Sequence, residues 1–370
     1  MIYKSFKDLK LSALGLGAMR LPVLNGERAD IDVNAAREMI KYAIDSGINY
    51  FDTAWVYHGG NSETVLGDLL SEYPRDSYYL ATKFPGFILD LINNVEDIFT
   101  KQLEKCRVDY FDFYLFHDVC ETNIDQYLDK KYRIYDYLME QKRLGKIKHL
   151  GFSTHGSLQT INRFLDAYGK DMEFCQIQLN YFDHDYQDAK AKVDLLRKHN
   201  IPIWVMEPVR GGKLATLKKE HEDILKALRP DESIAAWAFR YLQGYDDVIV
   251  TLSGMSNMDQ LSENVNTYSA LKPLNNNEMK ALMGIASEMI ASSELACTAC
   301  RYCTEGCPVG LDIPALINLY NRKKTQSGAE DAEIPSGKLP NECIGCRSCE
   351  ILCPQGIKIS EAMADLCKMI

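Results

Sequence analysis

NYFDTAWVYHGGNSETVLGDLL, residues 49–70, holds one complete strand–loop–helix unit. NYFDTA (49–54) is an apolar, aromatic run of strand length. The polar, glycine-bearing loop ends it, and SETVLGDLL (62–70) carries apolar residues at helical spacing behind Ser62, an N-cap residue type. The same unit recurs along the first 270 residues. Further strands are read at SALGLGAM (12–19), YYLATKF (78–84), FDFYLFH (111–117), HLGFST (149–154), FCQIQLNYF (174–182), IPIWVMEP (201–208) and VIVTLSG (248–254). Helical segments follow each: NAAREMIKYAIDSG closing on Gly47, NVEDIFTKQLEKC, NIDQYLDKKYRIYDYLMEQKRLG, SLQTINRFLDAYG, QDAKAKVDLLRKHN, ESIAAWAFRYLQG and NMDQLSENVNTYSA. Eight alternating units predict the α/β class and a (β/α)8 TIM barrel over residues 1–274. A doubly wound sheet is the alternative. Against it, no GxGxxG follows the first strand, and GLGAMR has the wrong spacing.

The chain has 370 residues, 46% apolar and 25% charged, enough for one large core and a smaller second domain. Its N-terminus has no apolar signal segment, and no run approaches the ~20 apolar residues that cross a bilayer. A cytoplasmic protein without a membrane partner is expected. The net charge of −10 and scattered Lys and Arg argue against a nucleic-acid footprint. Of twelve cysteines, eight stand in two tight runs near the C-terminus, which points to metal ligation in a reducing compartment. Cys106, Cys120, Cys175 and Cys367 have no ligand spacing and read as small apolar residues.

In such a barrel, polar residues at strand C-termini converge on one mouth. Strand two ends at Asp52, with Tyr57 on the next loop; strand three ends near Lys83, and strand four at His117. These are the groups that carbonyl reduction by hydride transfer requires. Charge develops on the carbonyl oxygen, so a phenol must stand there as acid. An ammonium eases its ionisation, a carboxylate holds the ammonium, and a neutral imidazole orients the oxygen. Taken singly, each residue has an ordinary alternative as a cap, a solvated charge or a core histidine.

With LGLGAMRLP, DTAWVYHGGNSETVLG, LGFSTH and QLSEN added to the strand-three Lys and strand-four His, the chain resembles the aldo-keto reductases over roughly residues 1–285. The resemblance implies an NAD(P)H-dependent oxidoreductase that reduces an aldehyde or ketone to an alcohol. Tyr57 would be the proton donor, Lys83 and Asp52 would tune it, and His117 would orient a small carbonyl substrate. It further implies NADP, or NAD, across the barrel mouth. Ser153, Thr154 and Gln176 would hold the carboxamide. Met206, Pro208, Gly211 and Gly212 of MEPVRGG would lie over nicotinamide and pyrophosphate, and Gly254, Ser256, Gln260, Glu263 and Asn264 would meet the adenosine end. Two positions depart from the family pattern. Met206 replaces an aromatic residue, and Gln260 stands where a basic side chain often binds the 2′-phosphate, with Arg210 a candidate to compensate. Trp55, Phe84, Phe87 and Phe182 are expected to make the substrate pocket partly apolar.

Residues 275–290, NNNEMKALMGIASEMI, read as a bridging helix that docks on the barrel or spans solvent. Residues 291–370 follow, with CTACRYCTEGCP at 297–308 and CIGCRSCEILCP at 343–354. CxxCxxCxxxCP is the bacterial ferredoxin run for a [4Fe-4S] cluster, whereas zinc usually takes separated CxxC pairs. The resemblance is to a two-cluster ferredoxin, a small α+β iron–sulfur domain in which the fourth Cys of each run serves the other cluster. It implies one cluster on Cys297, Cys300, Cys303 and Cys353 and another on Cys343, Cys346, Cys349 and Cys307. Part of the intervening sequence, TQSGAEDAEIPSGK (325–338), reads as a surface loop. Hydride moves two electrons and a cluster moves one, and no flavin signature bridges them. Three readings therefore stand: a carbonyl reductase whose clusters serve a ferredoxin or flavoprotein partner, the same enzyme with structural clusters, or an electron-transfer or redox-sensing protein whose barrel is a nucleotide-binding or docking module.

Overall fold

The computed structural model describes residues 1–26, 28–292, 294–325 and 335–370. Most of the expected surface loop, 326–334, lies outside the described residues. An antiparallel hairpin, β1 (Tyr3–Phe6) and β2 (Leu9–Ser12), comes first and escaped the sequence reading because its arms, YKSF and LKLS, mix polar with apolar residues and make no apolar run. Eight parallel strands then close into a barrel: β3 (Leu14–Gly17), β4 (Tyr50–Asp52), β5 (Tyr79–Phe84), β6 (Phe111–Val119), β7 (Ile147–Thr154), β8 (Cys175–Gln178), β9 (Ile203–Met206) and β10 (Val248–Ser253). β10 pairs with both β9 and β3, which completes the ring.

Successive strand residues face opposite sides of the sheet. Tyr50, Ala81, Phe113, Leu115, Phe174 and Trp204 fill the interior, sealed by Phe6 and Leu11 of the hairpin. Their neighbours Phe51, Leu80, Tyr114 and Phe116 belong instead to the core under the surrounding helices. Asp52, Lys83 and His117 stand two residues beyond Tyr50, Ala81 and Leu115. The period of two therefore carries all three to the interior side at the C-terminal rim.

Ser62 is the first helical residue rather than the cap, which is Asn61. Its hydroxyl instead meets Thr53 Oγ1 at 2.9 Å and donates to Ala18 O at 3.0 Å. The long helix expected over 123–145 is broken into Ile124–Leu128, a 3-10 turn Lys130–Tyr132 and Ile134–Arg143. Arg133, at φ +55°, reverses the backbone between them. A helix over Lys219–Leu228 was not anticipated. Gly47, at φ +90°, ends the first helix as expected.

The helix Asn276–Ala291 begins with a capping box between Asn275 and Glu278. Leu282, Ile285 and Ala286 are buried in the barrel's main core, so this helix packs on the barrel rather than spanning solvent. The remaining chain has its own core of Leu311, Ile313, Leu316, Ile317, Ile359, Met363 and Leu366. Its described helices are Tyr302–Glu305, Ile313–Thr325, Ser348–Ile351 and Ile359–Leu366. This unit lies against the mouth of the barrel.

Candidate active site at the barrel mouth

Asp52 and Lys83 form a buried ion pair, Nζ to Oδ1 at 2.5 Å, and Lys83 also donates to Thr53 O at 2.8 Å. Burial pulls the Lys83 ammonium down and pushes the Asp52 carboxyl up, and the pair opposes both shifts. The Lys83 Nζ lies 5.1 Å from the Tyr57 ring centroid. Tyr57 stands edge to face with His117, their centroids 6.1 Å apart. Burial holds the Tyr57 phenol well above its ordinary range, reinforced by Tyr302 and Asp52, so the resting phenol keeps its proton. Burial, Lys83 and His155 keep His117 neutral. His58 shapes the loop that carries Tyr57: Leu21 N–H donates to its Nε2 at 3.1 Å, leaving Nδ1 to donate to Arg28 O at 2.6 Å.

Asp52, Tyr57 and His117 open into one cavity of about 360 Å³, with Lys83 behind them. Of the residues expected to hold a dinucleotide, Ser153, Gln176, Met206, Pro208, Gly211, Gly212, Gly254, Ser256, Gln260, Glu263 and Asn264 line the same space. Thr154 does not; its hydroxyl is committed to Val119 O at 2.5 Å and to Gly156 N at 3.0 Å. The Gln176 Oε1 is buried without a partner, an acceptor suited to a carboxamide N–H. A Cβ on Gly212 would meet nothing within 4 Å, leaving that backbone open to a phosphate. The lining therefore fits a nicotinamide dinucleotide. Arg210 does not fit the role of a 2′-phosphate ligand. Its guanidinium is 2% exposed and binds Asp183 at 2.8 Å, Ala296 O at 3.0 Å and Gln355 Oε1 at 2.6 Å. Arg20 is the cavity's guanidinium among the described lining residues.

The four expected pocket aromatics lie outside this lining. Phe84 packs in the core on Tyr127, and Trp55 carries the Lys105 ammonium 4.1 Å from its ring centroid. Phe182 lies under Arg210 at 4.5 Å. Phe87 backs the site, 5.0 Å from His117 and 6.2 Å from Tyr302 between ring centroids. The missing wall comes from the C-terminal unit, because Cys300, Tyr302 and Pro354 line the cavity. Arg20 Nη2 donates to Thr298 O at 3.0 Å, Arg28 to Cys300 O at 3.3 Å, and Gln355 Nε2 to Gln178 Oε1 at 3.1 Å. Asp118 and His155 join the lining from the ends of β6 and β7. Burial holds Asp118 at about 6 and His155 at about 3. Tyr302 was visible only as an aromatic beside ligand spacing, and nothing local in the sequence placed it in the barrel.

The eight clustered thiols divide into two groups. Cys297, Cys300, Cys303 and Cys353 line one small cavity; Cys307, Cys343, Cys346 and Cys349 line another. The fourth residue of each run has crossed to the other's cavity. After burial, the thiols that most raise Cys303 are Cys300, Cys297 and Cys353, a crowding of potential thiolates that suits cationic iron. The donor sets fit two [4Fe-4S] clusters. Cys106 and Cys175 are buried among apolar residues as expected, while Cys120 and Cys367 are half-buried.

Residues 13–287 match the aldo/keto reductase family, and residues 296–357 match a 4Fe-4S dicluster domain. An uncharacterized oxidoreductase of Bacillus subtilis, YqkF, is 27% identical over 74% of this chain and 92% of its own length. L-galactose dehydrogenase of Arabidopsis thaliana is 27% identical over 72% of this chain and 87% of its own. The NADH-specific methylglyoxal reductase of Escherichia coli is 26% identical over 70% and 90% respectively. The holo aldo-keto reductase AKR11C1 of Bacillus halodurans shares the fold with a TM-score of 0.63, at 23% identity over 77% of this chain and 96% of that one. No helix among the described residues is long and apolar enough to cross a membrane.

Proposed function

The chain belongs to the aldo/keto reductase family and carries a C-terminal 4Fe-4S domain, and from that premise we propose that it is an NAD(P)H-dependent reductase of a small aldehyde or ketone. The observation that carries the reading is the Tyr57 ring between the buried Asp52–Lys83 pair and a neutral His117, all at one cavity. The dinucleotide, when bound, supplies the hydride. His117 orients the carbonyl oxygen, and Tyr57 delivers its proton there. The Lys83 ammonium stabilises the phenolate that remains, and Asp52 keeps that ammonium charged and in place. Gln176 and Ser153 would hold the carboxamide, and Gly212, Gly254 and the Ser256–Asn264 segment would hold the rest. Arg20 is the candidate for a 2′-phosphate, which would favour NADP over NAD. The names of two relatives, a methylglyoxal reductase and a sugar dehydrogenase, support small oxygenated carbonyl and alcohol substrates.

Tyr57→Phe tests this assignment. Carbonyl reduction is expected to fall ~10²–10⁴-fold, the scale of a lost general acid, while NADPH binding followed by fluorescence is retained. Undiminished turnover would overturn the role.

A second reading is favoured by Cys300 and Tyr302, which line the same cavity as Tyr57 and His117. A cluster on Cys297, Cys300, Cys303 and Cys353 would share a wall with the reaction site. On this reading the iron–sulfur domain exchanges electrons with the cavity's occupant and with a ferredoxin or flavoprotein partner. Anaerobic addition of NADPH or NADH without substrate tests it. Bleaching of cluster absorbance supports exchange, whereas unchanged clusters with dinucleotide bound support a structural role.

A further inference from the structure

In a regular strand the residue after His117 would face away from the barrel interior. β6 departs from that rule at its C-terminal end. Phe116 pairs with Phe152 but Val119 pairs with Thr154, so β6 carries one residue more than β7 across this step. The extra residue is taken up in a bulge, and Asp118 within it sits at φ +53°. Left-handed backbone is costly for a residue with a Cβ, and Asp is among the few types that adopt it. The bulge is pinned from both sides: Asp118 N–H donates to Ser153 Oγ at 2.9 Å, and Asn123 Nδ2 donates to Asp118 O at 2.7 Å. As a result His117 and Asp118, adjacent in the chain, both line the reaction cavity.

The carboxyl so presented is half-buried, and among the described residues no side chain donates to it. The His155 backbone N–H stands by the group, yet Oδ1 is left buried without a partner. His155 lines the same cavity, and its Nδ1 is also buried and unpartnered. Burial keeps that imidazole neutral while its ring bonds to Gln178, so one lone pair remains to offer. Buried acceptors of this kind call for a donor. The nicotinamide carboxamide has the Gln176 Oε1 as its acceptor. The substrate's carbonyl oxygen receives donors from Tyr57 and His117 and has no proton to give. The demand therefore falls on a second group of the substrate. Successive residues stand ~3.8 Å apart, which places that group on the carbon next to the carbonyl held by His117. A hydroxyl meets the demand at less cost than an ammonium, which would shed its water near the Lys83 cation that already bears on His117.

We propose that Asp118, backed by His155, forms a hydroxyl subsite that selects 2-hydroxy ketones and 2-hydroxy aldehydes as substrates. The proposal rests on the carbonyl-reductase reading above and deepens it. The substrate hydroxyl donates to Asp118 and is unchanged by the reaction. Hydride from the bound dinucleotide reaches the carbonyl carbon, the Tyr57 proton reaches its oxygen, and the product is a vicinal diol.

The test uses the full-length, anaerobically reconstituted protein with NADPH and with NADH. Substrates are hydroxyacetone, butanone, methoxyacetone and aminoacetone, with propanal as a carbonyl that bears no second polar group. Butanone matches hydroxyacetone in size, and methoxyacetone keeps the oxygen's pull on the carbonyl while removing the donor. The kcat/KM for hydroxyacetone is expected to exceed that for either by ~10–100-fold, the range for a hydrogen bond to a charged acceptor. Asp118→Gly suits φ +53° and removes the carboxyl, and it is expected to bring both ratios to within about threefold of unity. Wild-type ratios near unity, or turnover of propanal without hydroxyacetone, would overturn the subsite. Unchanged ratios in an Asp118→Gly protein with wild-type circular dichroism would do the same. Aminoacetone reduced faster than hydroxyacetone would overturn the hydroxyl in favour of a cation. Turnover of none of these carbonyls, propanal included, would instead overturn the reductase reading, and the subsite with it.

Discussion

Replacing Arg210 with methionine would test how the iron–sulfur domain is fastened to the barrel. The guanidinium lies under both units. Its Nε–Asp183 bond, at 2.8 Å, is an ion pair with both side chains almost fully buried. Removing one partner of such a pair costs about 3–5 kcal/mol. Asp183 Oδ2 would keep two neutral donors, Gln178 Nε2 and Asn180 Nδ2, each at 2.6 Å, which points to the lower end. The bonds to Ala296 O and Gln355 cross to the C-terminal side and add about 1 kcal/mol each. Methionine retains the apolar stem against Phe182 but loses the cation over its ring, about 0.5–1 kcal/mol more. The expected loss is therefore about 6 kcal/mol, some 2 of it at the interface. Urea unfolding followed by tryptophan fluorescence reads the barrel, since Trp204 and Trp237 are buried there, and visible absorbance reads cluster retention. Both transitions should move to lower urea in Arg210→Met. Gln355→Ala, which removes only the crossing contacts, should move the cluster transition alone. An Arg210→Met protein within 1 kcal/mol of wild type in both transitions would refute the reasoning.

Gly211→Ala combines a disfavoured φ of +66° with a Cβ 2.0 Å from Thr298 O, so the cysteine loop must lift; faster proteolysis between the two units is expected, with at least about 1 kcal/mol lost. Glu173 gives an acid-side prediction. Burial alone would raise its carboxyl, but hydrogen bonds from His149, Lys142 and Lys7 outweigh it and hold the group at about 2 against an ordinary 4.5. Its contribution is thus complete above about pH 5 and disappears as pH falls through 4.5 towards 2, a loss of about 1–2 kcal/mol once solvent screening of this half-buried group and its exposed Lys7 partner is allowed for. Thermal unfolding against pH should show that decline in the wild type and a flatter one in Glu173→Gln.

Much of the barrel was legible because its signals are local. All eight strands were found, since each is a short apolar run bounded by a turn and followed by helical spacing. Boundaries moved where a single backbone reversal intervened, as at Arg133, or where a side chain had a better partner, as Ser62 has in Thr53 and Ala18 O. Asp52, Lys83 and His117 were foreseeable because strand period carries rim residues inward without regard to the rest of the chain, whereas Tyr57, on the loop after Asp52, was singled out by the family resemblance. The expected pocket aromatics failed for the opposite reason. Phe182 faces Arg210, which is held by the neighbouring Asp183 and also by Ala296 and Gln355 of the C-terminal side, so its surroundings depend on contacts between segments far apart in the chain.

The sequence alone determined the eight barrel strands, that Asp52, Lys83 and His117 reach the mouth, and that eight thiols stand at cluster spacing, because periodicity and ligand geometry act over a few residues. The tertiary structure decided that the C-terminal cysteine domain caps the mouth rather than hanging free. Arg210 and Gln355 meet across 145 positions of chain, Arg20 and Thr298 across 278. Such contacts arise from the fit of two folded surfaces. No repeat within the chain encodes that fit, and only the assembled fold shows Tyr302 beside Tyr57.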